Sequence, residues 1–473
     1  MSAIAGLVRL DGSPVEKGEV WAMIETMSHR GEDGTGVWTN GPIGLGHRMR
    51  HTTQESLREH LPLTSADGTL TITADARVDN RAELVAALGV PETLTDSELI
   101  LRAYAVWREA CVDRLVGDFA FAIWDDSARQ LFCARDHFGV KSLYYHHRAG
   151  GHFAFGTEIK ALHTLAEVPR RLNEVRIADH LAFMREDAES TIYEEVFRLP
   201  AAHTLIVSER GVRLERYYTL APAVLPEIPD DADQETRDAA YDAQFRALFE
   251  EAVRCRLRSA FPIGSQLSGG LDSSAVTCVA RDLLRAEGRG PLHTFSLYFD
   301  TVQSCDEGAY VEAVVEQGGI VPHGVDGEAA GPLSNVEEVY ALLDDGLIGG
   351  TQHLVWELLR AAGEAGTRVV LDGIDGDNVV SHGLLYLDEL ADAGEWEALR
   401  REIDALVPRF RGADHLHNFE EPLGSPSALF SRVFRMCSAS SSAASAPACA
   451  MELMLKRWRT FSSVAINSAD AMP

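Results

Sequence analysis

Between Pro262 and Leu284 an apolar strand, Pro262-Ile-Gly-Ser-Gln-Leu267, runs into Ser268-Gly-Gly-Leu-Asp-Ser-Ser274 and then directly into the helical Ala275-Val-Thr-Cys-Val-Ala-Arg-Asp-Leu-Leu284. A strand that turns on two adjacent glycines straight into a helix is the first leg of a crossover, and crossovers build parallel sheets. The surroundings agree. An amphipathic helix is expected from Ala239 to about Arg258, and helix and strand alternate through His293-Thr-Phe-Ser-Leu-Tyr-Phe299 as far as Thr367-Arg-Val-Val-Leu371. The carboxy-terminal half therefore reads as an α/β domain with a parallel sheet and helices on both faces.

The glycine–serine loop is also a place for an anion. Two glycines let the backbone turn sharply and approach a ligand closely, and the helix start that follows offers free N–H groups at the positive end of its dipole. The G-x-x-x-x-G-K spacing of a Walker loop, with its lysine, is missing. A loop of this shape suits the pyrophosphate that leaves when a nucleophile attacks an α-phosphate. The alternative is that the glycine pair makes only a tight turn; the strand before and the helix after favour the nucleotide. The candidate nucleotide contacts are Leu267, Ser268, Gly269, Gly270, Leu271, Asp272, Ser273 and Ser274, together with Ser296, Asp372 and Gly373. Asp372 and Gly373 open a second loop, Val370-Leu-Asp-Gly-Ile-Asp-Gly-Asp-Asn-Val-Val-Ser-His-Gly383, which also follows a strand. In a parallel sheet both loops open at the carboxyl edge, so Asp377 and Asp272 are expected to share a Mg²⁺ ion. Against this, aspartates in such loops are often helix caps or turn formers.

The first 218 residues are patterned differently, with short alternating segments such as Leu70-Thr-Ile-Thr-Ala-Asp-Ala76 and Phe119-Ala-Phe-Ala-Ile-Trp124 interrupted by a helical stretch from Ser97 to Val116. That predicts an antiparallel α+β domain. The expected organisation is thus a first domain over 1–218, a proline- and acid-rich linker over 219–237, an ATP-binding domain over 238–435 and an atypical Ser/Ala-rich tail over 436–473. Seven scattered cysteines without a C-x-x-C pair argue for reduced thiols over a disulfide framework or zinc site. The net charge of −29 would repel nucleic-acid phosphates, and no apolar run reaches the roughly 20 residues of a membrane span, so neither nucleic acid nor membrane is an expected partner. The opening residues, Met1-Ser-Ala-Ile-Ala-Gly-Leu-Val-Arg-Leu10, read as a strand in preference to a signal peptide, and the expected location is cytoplasmic.

The loop Ser268-Gly-Gly-Leu-Asp-Ser-Ser274 resembles that of the N-type ATP pyrophosphatases, and both halves together resemble asparagine synthetase B and its relatives. In the first half the resemblance is carried by His29-Arg-Gly-Glu-Asp33, Ala74-Asp-Ala-Arg-Val-Asp-Asn80, Thr95-Asp-Ser-Glu98, Gly117-Asp-Phe-Ala-Phe-Ala-Ile-Trp-Asp125, Ala134-Arg-Asp-His-Phe-Gly-Val-Lys141 and Phe155-Gly-Thr-Glu-Ile-Lys160. It implies a class II glutaminase-like αββα sandwich, which in the family uses an N-terminal cysteine as nucleophile with its own α-amine as base. Here removal of Met1 would expose Ser2, and the family's Asn-Gly-Glu is matched by Asp75-Ala-Arg77. A carboxylate in place of an oxyanion donor, and a cation where a cation should bind, imply a scaffold without glutaminase activity.

In the second half the family's Ser-Gly-Glu-Gly-x-Asp-Glu is replaced by Asp372-Gly-Ile-Asp-Gly-Asp-Asn378, so Ile374 stands in place of the glutamate associated with ammonia attack. An amine carried by the substrate is the natural replacement. This resembles β-lactam synthetases and, through the 371–383 wording and Cys305-Asp-Glu-Gly-Ala-Tyr310, more closely the lasso peptide macrolactam cyclases. The resemblance implies ATP and Mg²⁺, a side-chain carboxylate of a peptide or a small-molecule carboxylate as substrate, and precursor-recognition and leader-peptidase partners. It also implies a late transition-state lysine, for which Lys456 is the candidate. The alternatives are a β-lactam synthetase, an asparagine synthase-like enzyme that hydrolyses glutamine, and a nucleotide-binding scaffold without turnover.

Overall fold

The computed structural model describes residues 1–182, 187–221, 228–229, 231–344, 351–374, 376 and 385–411. Met1–Ile374 form one compact unit and Asp375–Pro473 a second. In the second, the helices Leu385–Asp392 and Trp396–Arg411 pack through Leu390, Ala391 and Leu399.

The first unit begins with two antiparallel sheets. One holds β1 (Ala3–Arg9), β2 (Gly34–Asn40), β3 (Ile43–Met49), β8 (Tyr144–Arg148), β9 (His152–Gly156) and β10 (Phe197–Arg198) in the order β10-β8-β9-β1-β3-β2. The other holds β4 (Leu63–Thr64), β5 (Leu70–Val78), β6 (Gly117–Asp125), β7 (Gln130–Arg135), β11 (His203–Ser208) and β12 (Gly211–Arg216) in the order β12-β11-β7-β6-β5-β4. The period of two in each strand decides the layering. Ile4 and Val8 of β1 meet Ala120, Ala122 and Trp124 of β6 between the sheets. Their neighbours in sequence point outward: Ala3, Ala5 and Leu7 pack under the helix Lys17–Glu25, and Phe119, Phe121 and Ile123 under the helix Asp96–Trp107. Helix, sheet, sheet and helix make the expected αββα sandwich.

The expected helical stretch from Ser97 to Val116 is an α-helix over Asp96–Trp107 and then a 3₁₀ helix over Arg108–Arg114; at its start Thr95 Oγ1 accepts from Glu98 N at 3.2 Å and Glu98 Oε2 accepts from Thr95 N at 2.6 Å. The helix Gln234–Arg256 begins several residues before the expected Ala239. Asp233 caps it, accepting from Thr236 N at 2.9 Å, so one of the acids that read as linker is a helix start.

The parallel sheet follows: β13 (Ile263–Gln266), β14 (Leu292–Tyr298), β15 (Ile320–Asp326) and β16 (Val369–Leu371), in the order β15-β14-β13-β16. Helices cover both faces. Ile263 and Leu292 pack against Ala280 and Leu284 of the helix Leu271–Ala286, while Phe295, on the other face of β14, packs against Leu358 and Ala362 of the helix Gln352–Glu364.

The sheet is joined to the sandwich by charge. Arg258 Nη2 reaches Asp96 Oδ2 at 2.7 Å and Val78 O at 3.0 Å, Arg256 Nη1 reaches Asp79 Oδ2 at 3.0 Å, and Arg77 Nη1 donates to Arg258 O at 3.3 Å. Among the described residues no helix is long and apolar enough to cross a membrane.

Candidate active site

The chain lays down β13, β14 and β15 in one direction and then returns to place β16 on the other side of β13. The strand order therefore reverses between β13 and β16, and in open parallel sheets ligands bind in the crevice at that reversal, beyond the carboxyl ends of the strands. Ser268 follows β13 and Asp372 follows β16, so the first loop and the first described residues of the second, 372–374, lie at this crevice.

The first loop is held by its own hydroxyls. Ser273 Oγ accepts from Ser268 N at 3.2 Å and lies 3.0 Å from Ser268 Oγ, while Ser268 Oγ also accepts from Gly270 N at 3.3 Å. Gly269 has φ +86°, and a side-chain carbon there would lie 2.5 Å from Tyr310 Cβ. Only glycine meets both demands. The same contact brings the Cys305–Tyr310 stretch against the loop. Gly270 caps the helix Leu271–Ala286, whose first turn carries Asp272, and Leu271 is almost fully exposed beside it. Ser296 is buried in β14 and donates to Leu267 O at 2.6 Å, so its hydroxyl fixes the root of the loop.

The second loop touches the first. A side-chain carbon at Gly373 would lie 2.5 Å from Ser273 N and 2.9 Å from Asp272 C, a gap that only a hydrogen fits. Asp372 Oδ1 accepts from Ile374 N at 3.2 Å, which turns the chain out of the sheet and leaves Ile374 exposed. Asp377 and Lys456 lie outside the described residues. Among the described residues no three His, Cys, Asp or Glu side chains gather as a metal site.

Between the sandwich and β16, a cavity of about 280 Å³ is lined by Ser2, Arg50, Asp75, Arg77 and Lys141 of the sandwich and by Arg368, among others. Ser2 Oγ accepts from Arg50 N at 3.0 Å and lies 3.9 Å from Met49 Sδ. Asp75 Oδ1 pairs with Lys141 Nζ at 3.1 Å. Burial pushes the Asp75 carboxyl up, but Lys141 and the neighbouring positive charges outweigh it and hold the group below the usual carboxylate range. Nearby His47 is fully buried, with Nδ1 3.3 Å from Thr73 Oγ1, and burial lowers its imidazole to about 4. Arg77 pairs with Asp79, its Nε donating to Asp79 Oδ1 at 2.9 Å.

Two residues that the sequence did not single out stand out here. Lys141 lies in a matched stretch but gave no sign that it would face Asp75. Arg368, just before β16, pairs with Asp33 across a separation of 335 residues, a relation no local pattern carries.

Residues 1–218 match the glutamine amidotransferase domain family and residues 244–464 the asparagine synthase family. The chain is 33% identical over 323 residues to asparagine synthetase (glutamine-hydrolyzing) 3 of Bacillus subtilis strain 168, covering 65% of this chain and 51% of that protein. It is 31% identical over 338 residues to putative asparagine synthetase (glutamine-hydrolyzing) 2 of Methanocaldococcus jannaschii, covering 67% and 63%. It is 28% identical over 316 residues to amidase chyE of Penicillium rubens, covering 63% and 45%. The chain thus spans less than two thirds of the length of each of these relatives.

Proposed function

We infer that this chain, which belongs to the asparagine synthetase B-like family, is an ATP-dependent amide ligase that activates a carboxylate as its adenylate and releases AMP and pyrophosphate. The observation that carries the reading is the contact of Gly373 with Ser273, which joins two glycine loops at the point where the strand order reverses.

The site fits a nucleotide. The glycines at 269 and 373 let the two loops close tightly on Tyr310 and Ser273, and the 16-residue helix beginning at Leu271 offers free N–H groups at its start. Backbone N–H groups of 269–273 and the Ser268 and Ser274 hydroxyls would hold the phosphates that become pyrophosphate. Asp272, with Asp377, would hold Mg²⁺; when bound, that ion neutralises charge building on the leaving group. Holding the acyl-adenylate and the attacking amine together supplies much of the barrier reduction.

The source of the amine bears on the sandwich, where Asp75, paired with Lys141, stands in place of the family's oxyanion donor. That pair supports an amine other than one released from glutamine. The relatives weigh toward an asparagine synthetase-like reaction. The narrower reading, in which a peptide's own α-amine closes a macrolactam on its Asp or Glu side chain, rests on the wording of residues 371–383 and 305–310. Pyrophosphate–ATP exchange separates them: aspartate alone should support exchange in the first case, and a leader-free acidic peptide, losing one water on ligation, in the second. Production of ADP would exclude both.

A further inference from the structure

Arg368 sits at the foot of β16, opposite the start of β13, where Val369 pairs with Ile263. Its guanidinium makes three contacts. Nη2 meets Asp33 Oδ1 at 3.1 Å while Nη1 bonds Asp33 Oδ2, Nη1 also donates to His51 O at 2.8 Å, and the group lies 4.0 Å over the ring of Phe261. Asp33 is itself fixed, accepting from His51 N at 2.8 Å and donating its own N–H to Met49 O at 3.0 Å. The Arg368 bridge, chief among the causes, holds the Asp33 carboxyl below the usual carboxylate range.

We propose that Asp33 and Arg368 are positioning residues for the nucleotide site, by which the sandwich sets the height of β16 and hence the fit of Gly373 against Ser273. The argument is geometric. Phe261 leads into β13 and Arg368 into β16, so one planar cation braces the entrances of the two strands whose exits carry the two loops. The strand β16 is only Val369–Leu371, and Asp372 lies roughly 13 Å from Arg368 by strand rise, a span with no turn to absorb a shift. Gly373 has little tolerance at the far end, because a side-chain carbon there would lie 2.5 Å from Ser273 N at the helix start. A bidentate arginine–carboxylate pair fixes angle as well as distance, which is what such a brace requires. On this view the glutaminase-like domain has a structural use whether or not it hydrolyses glutamine. The proposal rests on the ligase reading for its consequence but not for its geometry.

The test uses the full chain carrying Asp33→Asn, Arg368→Gln, both together, or Arg256→Gln as a control that breaks a different sandwich-to-sheet bridge. Two quantities are read: ATP affinity by calorimetry, and amide hydrogen exchange of the peptide spanning 369–374. Each single change should weaken ATP binding by roughly 10-fold and speed exchange in that peptide, and the double change should be no worse than either alone. Arg256→Gln should leave exchange over 369–374 unchanged. Additive effects of the two single changes, unchanged exchange in both, or equal loosening by Arg256→Gln would overturn the proposal. Failure of the ligase reading would show separately, as a wild-type chain that forms no AMP while the exchange pattern holds.

Discussion

Gly373 lies so close to Ser273 that a single added carbon would come within 2.5 Å of the Ser273 backbone nitrogen. The obstacle is backbone, not the movable end of a side chain, so Gly373→Ala must push the two loops apart. Overpacking of this kind costs about 1–3 kcal/mol. The change should fall on the site: ATP affinity should drop by roughly 10-fold or more while the melting temperature of the sandwich stays within a few degrees of wild type. Calorimetric titration with ATP beside a thermal melt checks it.

Much of this arrangement could be read from sequence. The alternation of Phe119-Ala-Phe-Ala-Ile-Trp124 identified β6 because each strand face meets a different layer, and Ser268-Gly-Gly marked the strand-to-helix turn, where Gly269 takes a φ of +86°. Asp233 was hidden inside an acidic run, where a capping aspartate and a solvated one look alike. The Asp33–Arg368 and Asp75–Lys141 pairs were illegible for a different reason, since side-chain partners set by tertiary packing leave no periodic trace. Ser296 was read as a nucleotide contact, and the structure places its hydroxyl on Leu267 O.

Asp75 is buried and depends on Lys141 for its charge partner. Lys141→Met should strand that carboxylate and cost about 3–5 kcal/mol, measured by denaturant unfolding followed through a fluorophore in the sandwich. Asp75→Leu added to Lys141→Met should restore most of the loss, since removing both charges removes the desolvation problem.

His47 gives a pH dependence whose sign is fixed. Its folded imidazole titrates at about 4 and the unfolded one near 6.5, so between these values the unfolded chain binds more protons. The stability associated with neutral His47 is complete above pH 6.5 and is lost as pH falls toward 4, on the order of 3 kcal/mol in all. His47→Gln keeps a partner for Thr73 without titrating. Unfolding free energies at pH 7 and pH 4.5 should differ less in this variant than in wild type, and an unchanged difference would remove His47 from the account.

Asp272 stands in the first turn of the helix that begins at Leu271, where a carboxylate can hold a hard cation. Asp272→Asn or Asp377→Asn should lower turnover by roughly 100-fold or more with little effect on the affinity for the carboxylate substrate, because the charge they support develops in the transition state. Ser2→Ala should leave ligation intact. Steady-state kinetics on the three variants would show this as a split between kcat and KM.

The central claim is that the crevice between β13 and β16 spends ATP at the α-phosphate. The direct measurement is the identity of the nucleotide product when the chain is given ATP, Mg²⁺, a carboxylate and an amine, resolved by anion-exchange chromatography. AMP and pyrophosphate in equal amounts, formed only when the carboxylate is present and abolished in Asp272→Asn, is the predicted result. ADP and phosphate, or AMP formed regardless of the carboxylate, would contradict it.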